Sequence, residues 1–149
     1  MIWIKLEELI DPKVYSSIPI EHSLNLQTLW YKTSLLRKAS AIPFTIRTPN
    51  DPARGYRTEE MHEELYKKIN GKRLANFQNM ITPPRESLHL IGAACDVFDG
   101  NQILQMWIRS HEDFCKKIGV WFEDFKYTRN WVHISIYPPV SGNLYFVPY

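Results

Sequence analysis

The apolar positions of this chain change period several times, and each change marks an element. From about residue 25 to 39, Leu26, Leu29, Trp30, Leu35 and Leu36 recur at helical spacing. Residues 44–48, Phe-Thr-Ile-Arg-Thr, are β-branched and aromatic, which predicts a short strand. Two prolines and a glycine make 49–56 a loop. Thr58 then stands as the N-cap of a second helix, with Glu59 and Glu60 in its first turn and Lys67 and Lys68 in its last. Met61, Leu65 and Ile69 form its buried stripe, and Gly71 closes it. Residues 72–86 form a long loop containing Pro83-Pro84. Residues 93–98 form a strand turned by Asp99-Gly100. Ile103, Met106, Trp107, Phe114 and Ile118 mark a third helix, ended by Gly119. Residues 120–125 and 131–136 pair as a hairpin, and 144–147 add an edge strand. Residues 1–22, with Pro12 and Pro19, are expected to be irregular and to wrap the surface. The pattern predicts an α+β domain: a small, mainly antiparallel sheet with helices packed on one side.

Composition narrows the function classes. The 149 residues fit one domain, large enough to bury a core without staples. The net charge of +2 is too small to argue for nucleic acid. No stretch is long and apolar enough to span a membrane, so no membrane partner is expected. The first ten residues lack a basic region, a sustained apolar core and a small-residue cleavage site, so no signal peptide is expected. Cys95 and Cys115 are too few for a disulfide framework. Cys95 falls on a strand face with Ala93 and Val97, which predicts a buried, inert thiol. The tryptophans fall mostly on core stripes, where packing is their default role. Trp131 is the exception, because it shares the His133 face.

The chemistry concentrates in three residues. His89 and Asp96 lie in Ser-Leu-His-Leu-Ile-Gly-Ala-Ala-Cys-Asp, and His133 lies in Trp-Val-His-Ile-Ser. Strand alternation puts Val132, Ile134 and Ile136 on a core face and turns His133 toward a cleft. A tight turn at Gly92 folds His89 back toward Asp96. Two imidazoles and one carboxylate are the ligand set of a catalytic zinc site, whose fourth position stays open. An isolated histidine is more often a surface or hydrogen-bonded core residue. His22, His62 and His111 are assigned to that role, with His62 on a charged helix face. Lys67, Lys68, Lys72 and Arg73 are assigned to a solvated helix end.

The spacing Ser87-x-His89-x-x-Gly92-x-Ala94-x-Asp96 resembles the zinc motif of the D-Ala-D-Ala carboxypeptidase family of metallopeptidases. That family includes phage endolysins, and its fold is shared with the hedgehog signalling domain. Trp131-x-His133 resembles the family's late histidine. Gly55-Tyr56-Arg57-Thr58 is similar to its Gly-Tyr-Arg-Ser element. The resemblance runs from about Phe44 to Ile136. It implies a hedgehog/DD-peptidase-like fold and a Zn2+ ion on His89, Asp96 and His133. It implies that Arg57 binds a substrate carboxylate or steadies the developing oxyanion. Ser87 would support the first ligand.

Many family members place a catalytic acid three residues before the last histidine. Here that residue is Asn130, and an amide cannot accept and return a proton. Glu123, on the strand expected to pair with the His133 strand, is the substitute. Asp124 is the fallback and points to the opposite face. Two functions follow from the resemblance. One is a zinc peptidase of peptidoglycan stem peptides or cross-bridges, acting in phage lysis or in the virion. It would reside in the virion or in the host cytoplasm before release to the wall. The other is a catalytically inactive structural or assembly protein of a phage particle, partnered by other virion proteins.

Overall fold

The computed structural model describes residues 3–148. Five α-helices and four strands follow in the order α1 (Leu6–Leu9), α2 (Ile20–Ser40), α3 (Glu59–Ala75), β1 (Ala94–Phe98), α4 (Ile103–Ser110), α5 (Glu112–Ile118), β2 (Trp121–Glu123), β3 (Trp131–Ser135) and β4 (Tyr145–Phe146). The class is α+β. The strand order is β1-β3-β2-β4. The β1–β3 and β2–β3 pairs are antiparallel, and β4 runs parallel to β2. The expected edge strand is therefore present, but it makes the sheet mixed.

One sheet face makes the core. Cys95, Val97, Phe122, Val132 and Ile134 are fully buried and join Leu26, Leu29 and Leu36 of α2 with Leu104 and Ile108 of α4. Of the predicted α2 stripe, Leu26, Leu29 and Leu36 are buried and Trp30 and Leu35 half-buried, while Thr33 and Ser34 are buried beside them. The third helix differs from expectation. It breaks at His111 into α4 and α5, and its buried stripe is Leu104, Ile108 and Cys115, while Ile103 and Met106 are exposed.

The N-terminal segment is not irregular (residues 1 and 2 lie outside the described ones). It contains α1 and a 3-10 turn at Pro12–Ser17, and α2 begins at Ile20. Its two prolines start helices rather than block them. Pro12 is the first residue of its turn, with the Asp11 side chain accepting from the Lys13 amide, and Pro19 is the N-cap of α2. Trp30 Nε1 donates to the Ile4 carbonyl and the Ile4 amide donates to Ser34 Oγ, binding the segment across α2.

Residues 44–48 form no sheet strand. Phe44 and Ile46 are buried and Thr45 is exposed, so the alternation is real. The Arg47 amide, however, donates to the Glu8 carbonyl of α1, and Thr48 bridges only to Asp51. The alternation signals a half-buried extended segment, and α1 supplies its partner.

Helix α3 runs through Gly71 to Ala75. One glycine inside a helix costs only about 1 kcal/mol, and Lys72, Arg73, Leu74 and Ala75 are good helix formers. The end comes where Phe77, at φ 57°, takes the left-handed position after the helix. Gln78 and Phe77 amides donate to Arg73 and Leu74 carbonyls there, a Schellman pattern. The Met61, Leu65 and Ile69 stripe is only half-buried.

Two glycines make opposite demands. A Cβ on Gly71 would meet nothing within 4 Å, whereas a Cβ on Gly55 would fall 2.0 Å from the Leu9 carbonyl oxygen. Gly71→Ala should raise the unfolding free energy by about 0.5–1 kcal/mol. Gly55→Ala should lower it by about 1–3 kcal/mol. Urea denaturation of the two variants checks both signs.

Candidate metal centre

The β1–β3 register sets Asp96 directly opposite His133. Residues opposed across an antiparallel pair share a sheet face. The β2–β3 pairing sets Trp121 against Ser135 and Phe122 against Ile134, so Glu123 comes next to His133. On the far side of β2, Glu123 stands beside Phe146. Asp96, His133, Glu123 and Phe146 thus form one row across all four strands. The Phe146 ring meets His133 edge-on at 6.0 Å.

His89 reaches this row from outside the sheet. It sits in a 3-10 turn, Leu88–Ile91, closed by Gly92 at φ 75°. A Cβ there would lie 2.6 Å from Leu26 Cγ and 2.9 Å from the His22 carbonyl oxygen, so glycine is required by space as well as by φ. The turn points the buried imidazole at Asp96, with Nε2 3.3 Å from Oδ2. His133 Nδ1 donates to Asp96 Oδ1 at 2.8 Å. One ligand atom from each of the three residues lies within 4.8 Å of the others, so the group could hold a metal ion.

The hydrogen bonds of His89 bear on that fit. Its Nδ1 lies 2.9 Å from the Gly55 carbonyl oxygen, which can only accept, so Nδ1 carries the proton. Burial pushes His89 below the ordinary histidine value, against the pull of Asp96. The neutral ring then presents an Nε2 lone pair to a carboxylate oxygen. Two acceptors facing each other fit a cation between them, and the Gly55 carbonyl is the outer partner that fixes such a ligand's tautomer. Burial alone would raise Asp96, but the neighbouring imidazoles, His133 through its hydrogen bond, hold it well below the carboxylate range. The donor set could therefore hold a metal ion.

Arg57 lies beside the candidate ligands, held in a specific embrace. Its guanidinium is buried, its Nε donates to the Ala53 carbonyl, and its Nη2 pairs with Asp96 Oδ2 at 3.3 Å. The Arg57 amide donates to the His89 carbonyl, which ties the loop before α3 to the ligand turn. Glu123 is half-buried, and burial raises its carboxyl above the usual range, with Asp96 adding and His133 opposing. Asp124 belongs to the following turn, where it accepts from the Lys126 amide. Asn130 is exposed beside β3, and its carbonyl accepts from the Asp99 amide. Ser87 precedes the ligand turn, and its carbonyl accepts from Leu90.

Two aromatic residues extend the site face toward solvent. Phe98 is paired with Trp131 one row beyond Asp96 and His133, and both are exposed. In the opposite direction Ala94 and Ser135 are buried, so the site opens over Phe98 and Trp131. Tyr66 was not anticipated. Burial raises its phenol, and Arg57, Asp96 and Glu123 all act on it, which places it in the field of the site. Its only sequence trace is its place on α3 one turn after His62, whose ring it meets at 4.9 Å.

The other histidines are structural. His62 is not on an exposed charged face: it is buried, with Nε2 2.9 Å from the Pro84 carbonyl oxygen. His22 Nδ1 bonds the Tyr56 hydroxyl, and His111 stacks on Trp107. Cys95 is the expected inert thiol, fully buried and raised well above its ordinary value by burial.

No protein-family model, curated protein or solved structure matches this chain.

Both buried imidazoles, His89 and His62, are pushed down by burial from 6.5. Below that pH the unfolded chain takes up protons that the folded chain refuses, so stability falls with acidification. Asp96, held below 3.8, adds a second loss as the unfolded carboxyl protonates first. The metal-free chain should therefore show a falling urea midpoint from about pH 7 to 5 and again below about pH 4. His62→Gln should keep the His89 share of the first fall. A flat profile above pH 5 would mean that both rings accept the proton in place.

Proposed function

We propose that this chain is a zinc-dependent peptidase of bacterial peptidoglycan, cleaving stem-peptide or cross-bridge amides in phage lysis or from the virion. The observation that carries the reading is the row Asp96–His133–Glu123, capped by His89: a metal ligand set with a carboxylate of raised pKa beside it. The substrate and the phage setting rest on the sequence resemblance.

Zinc on His89, Asp96 and His133 would supply Lewis acidity, polarising the scissile carbonyl and making water nucleophilic near neutral pH. Glu123 takes the proton from the attacking water on a carboxylate oxygen and returns it to the leaving nitrogen. Its raised value suits it to both transfers. With a cation held at Asp96, Arg57 Nη2 would be free to turn toward a substrate oxyanion or carboxylate. Phe98 and Trp131 supply an apolar shelf for the substrate flanking the cleaved bond.

The alternative, a non-catalytic assembly protein on the same scaffold, is favoured by two observations. Arg57 is committed to Asp96, and Asn130 stands where a catalytic acid would be expected. Amine release from purified peptidoglycan separates the two. The zinc-loaded chain should release new amino groups, and His133→Ala and a chelator should each abolish release. Glu123→Gln should reduce the rate by at least about 100-fold while zinc remains bound. Zinc binding without any release would establish the assembly reading. Full activity of Glu123→Gln would remove that residue from the mechanism.

A further inference from the structure

The end of α3 and the loop after it carry a surface that the metal site does not use. Residues 65–81 hold Lys67, Lys68, Lys72 and Arg73 and no acidic residue; Lys67 pairs with Glu64 one turn earlier, and Arg85 lies back at the start of α3 beside Glu59 and Glu63. The chain's net charge is only +2, so the rest of the molecule is slightly net negative and this stretch is locally basic. Leu74, Phe77 and Met80 project among them at 57%, 101% and 63% exposure.

This tip is built rather than loose. The Asn70 side chain accepts from the Ile81 amide at 2.8 Å and donates to the Ile81 carbonyl at 3.0 Å. Arg73 Nε donates to the Asn79 carbonyl. Both side chains satisfy backbone groups that would otherwise need water. Phe77 occupies the left-handed position at the helix end, which glycine takes at least cost. The phenyl group there gains no packing in the monomer. The chain accepts backbone strain to hold an aromatic ring in open solvent, at a helix end whose last turn carries Lys72 and Arg73.

We propose that this tip docks on an anionic lipid bilayer, with Phe77 and Met80 entering the interface and the lysines meeting the headgroups. Apolar side chains beside a basic cluster meet both needs of such a surface. Asn70 and Arg73 already satisfy the Ile81 amide and carbonyl and the Asn79 carbonyl, which lowers the cost of bringing this loop to the interface. A soluble polyanion would match the charges but give Phe77 and Met80 nothing to bury against. The proposal replaces the sequence expectation of no membrane partner. It is independent of the peptidase reading.

Co-sedimentation with vesicles tests it, using equal parts phosphatidylglycerol and phosphatidylcholine against phosphatidylcholine alone. The whole chain should bind the anionic vesicles and not the neutral ones. Binding should weaken at least about tenfold in Lys68→Glu/Lys72→Glu, since each cation near the surface contributes several-fold. Phe77→Gly should lose binding about tenfold or more while its urea midpoint rises, because glycine relieves the strain. That opposite movement separates a docking role from misfolding. Absence of binding to anionic vesicles would overturn the proposal. So would binding unchanged in Phe77→Ser/Met80→Ser, which would leave a charge-only surface. Self-association lost in that double variant, without vesicle binding, would assign the tip to a second copy of the chain.

Discussion

The register between β1 and β3 is the constraint on which the site depends. Opposing Asp96 to His133 fixes a carboxylate and an imidazole on one face of the sheet and sends Val97, Val132 and Ile134 to the other. A slip of one residue would bury the polar pair and expose the core. The apolar face holds the register because its residues are fully buried, and the polar face inherits a geometry it could not maintain alone. The β2–β3 register then extends the row to Glu123, and β4 closes it with Phe146. Hydrophobic packing and site chemistry are thus two consequences of one alignment.

His89 depends on a second constraint, the close approach of backbone to backbone. Gly92 lets the ligand turn lie against α2, and Gly55 lets the preceding loop pass the Leu9 carbonyl. The Gly55 carbonyl then holds the His89 tautomer. Helix α1, remote from the chemistry in sequence, in this way sets the position of a candidate ligand. The same loop brings Arg57 onto Asp96, where its guanidinium and the rings of His89 and His133 surround one carboxylate.

Much of this was legible in the sequence because alternation is a strong signal where one face is apolar. The period of two turned His133 away from the core face of 131–136 and Asp96 away from the Cys95 face of 93–98, and Gly92 announced the turn between His89 and its strand; the pairing of those two strands, which sets Asp96 opposite His133, was not legible. Elsewhere the signal was local while the outcome was set by tertiary contacts. Residues 44–48 have a strand's alternation but find their hydrogen-bond partner on α1. Gly71 looked like a stop, yet Phe77 ends the helix. Pro12 and Pro19 looked like breakers and serve as helix starts. Tyr66 could not be found from spacing, since only the packing of α3 brings it toward Arg57 and Glu123. The parallel pairing of β4 was hidden for a related reason: two residues of strand carry no directional pattern.

The proposed peptidase requires the Asp96–His133 alignment, with His89, to hold zinc. X-ray absorption of the chain loaded with one equivalent of zinc tests it most directly. The account predicts stoichiometric loading and a shell of two imidazole nitrogens and light oxygen donors at about 2.0–2.2 Å, with the imidazole count falling to one in His133→Ala. Substoichiometric loading, a sulfur donor, or a shell unchanged in His133→Ala would contradict it.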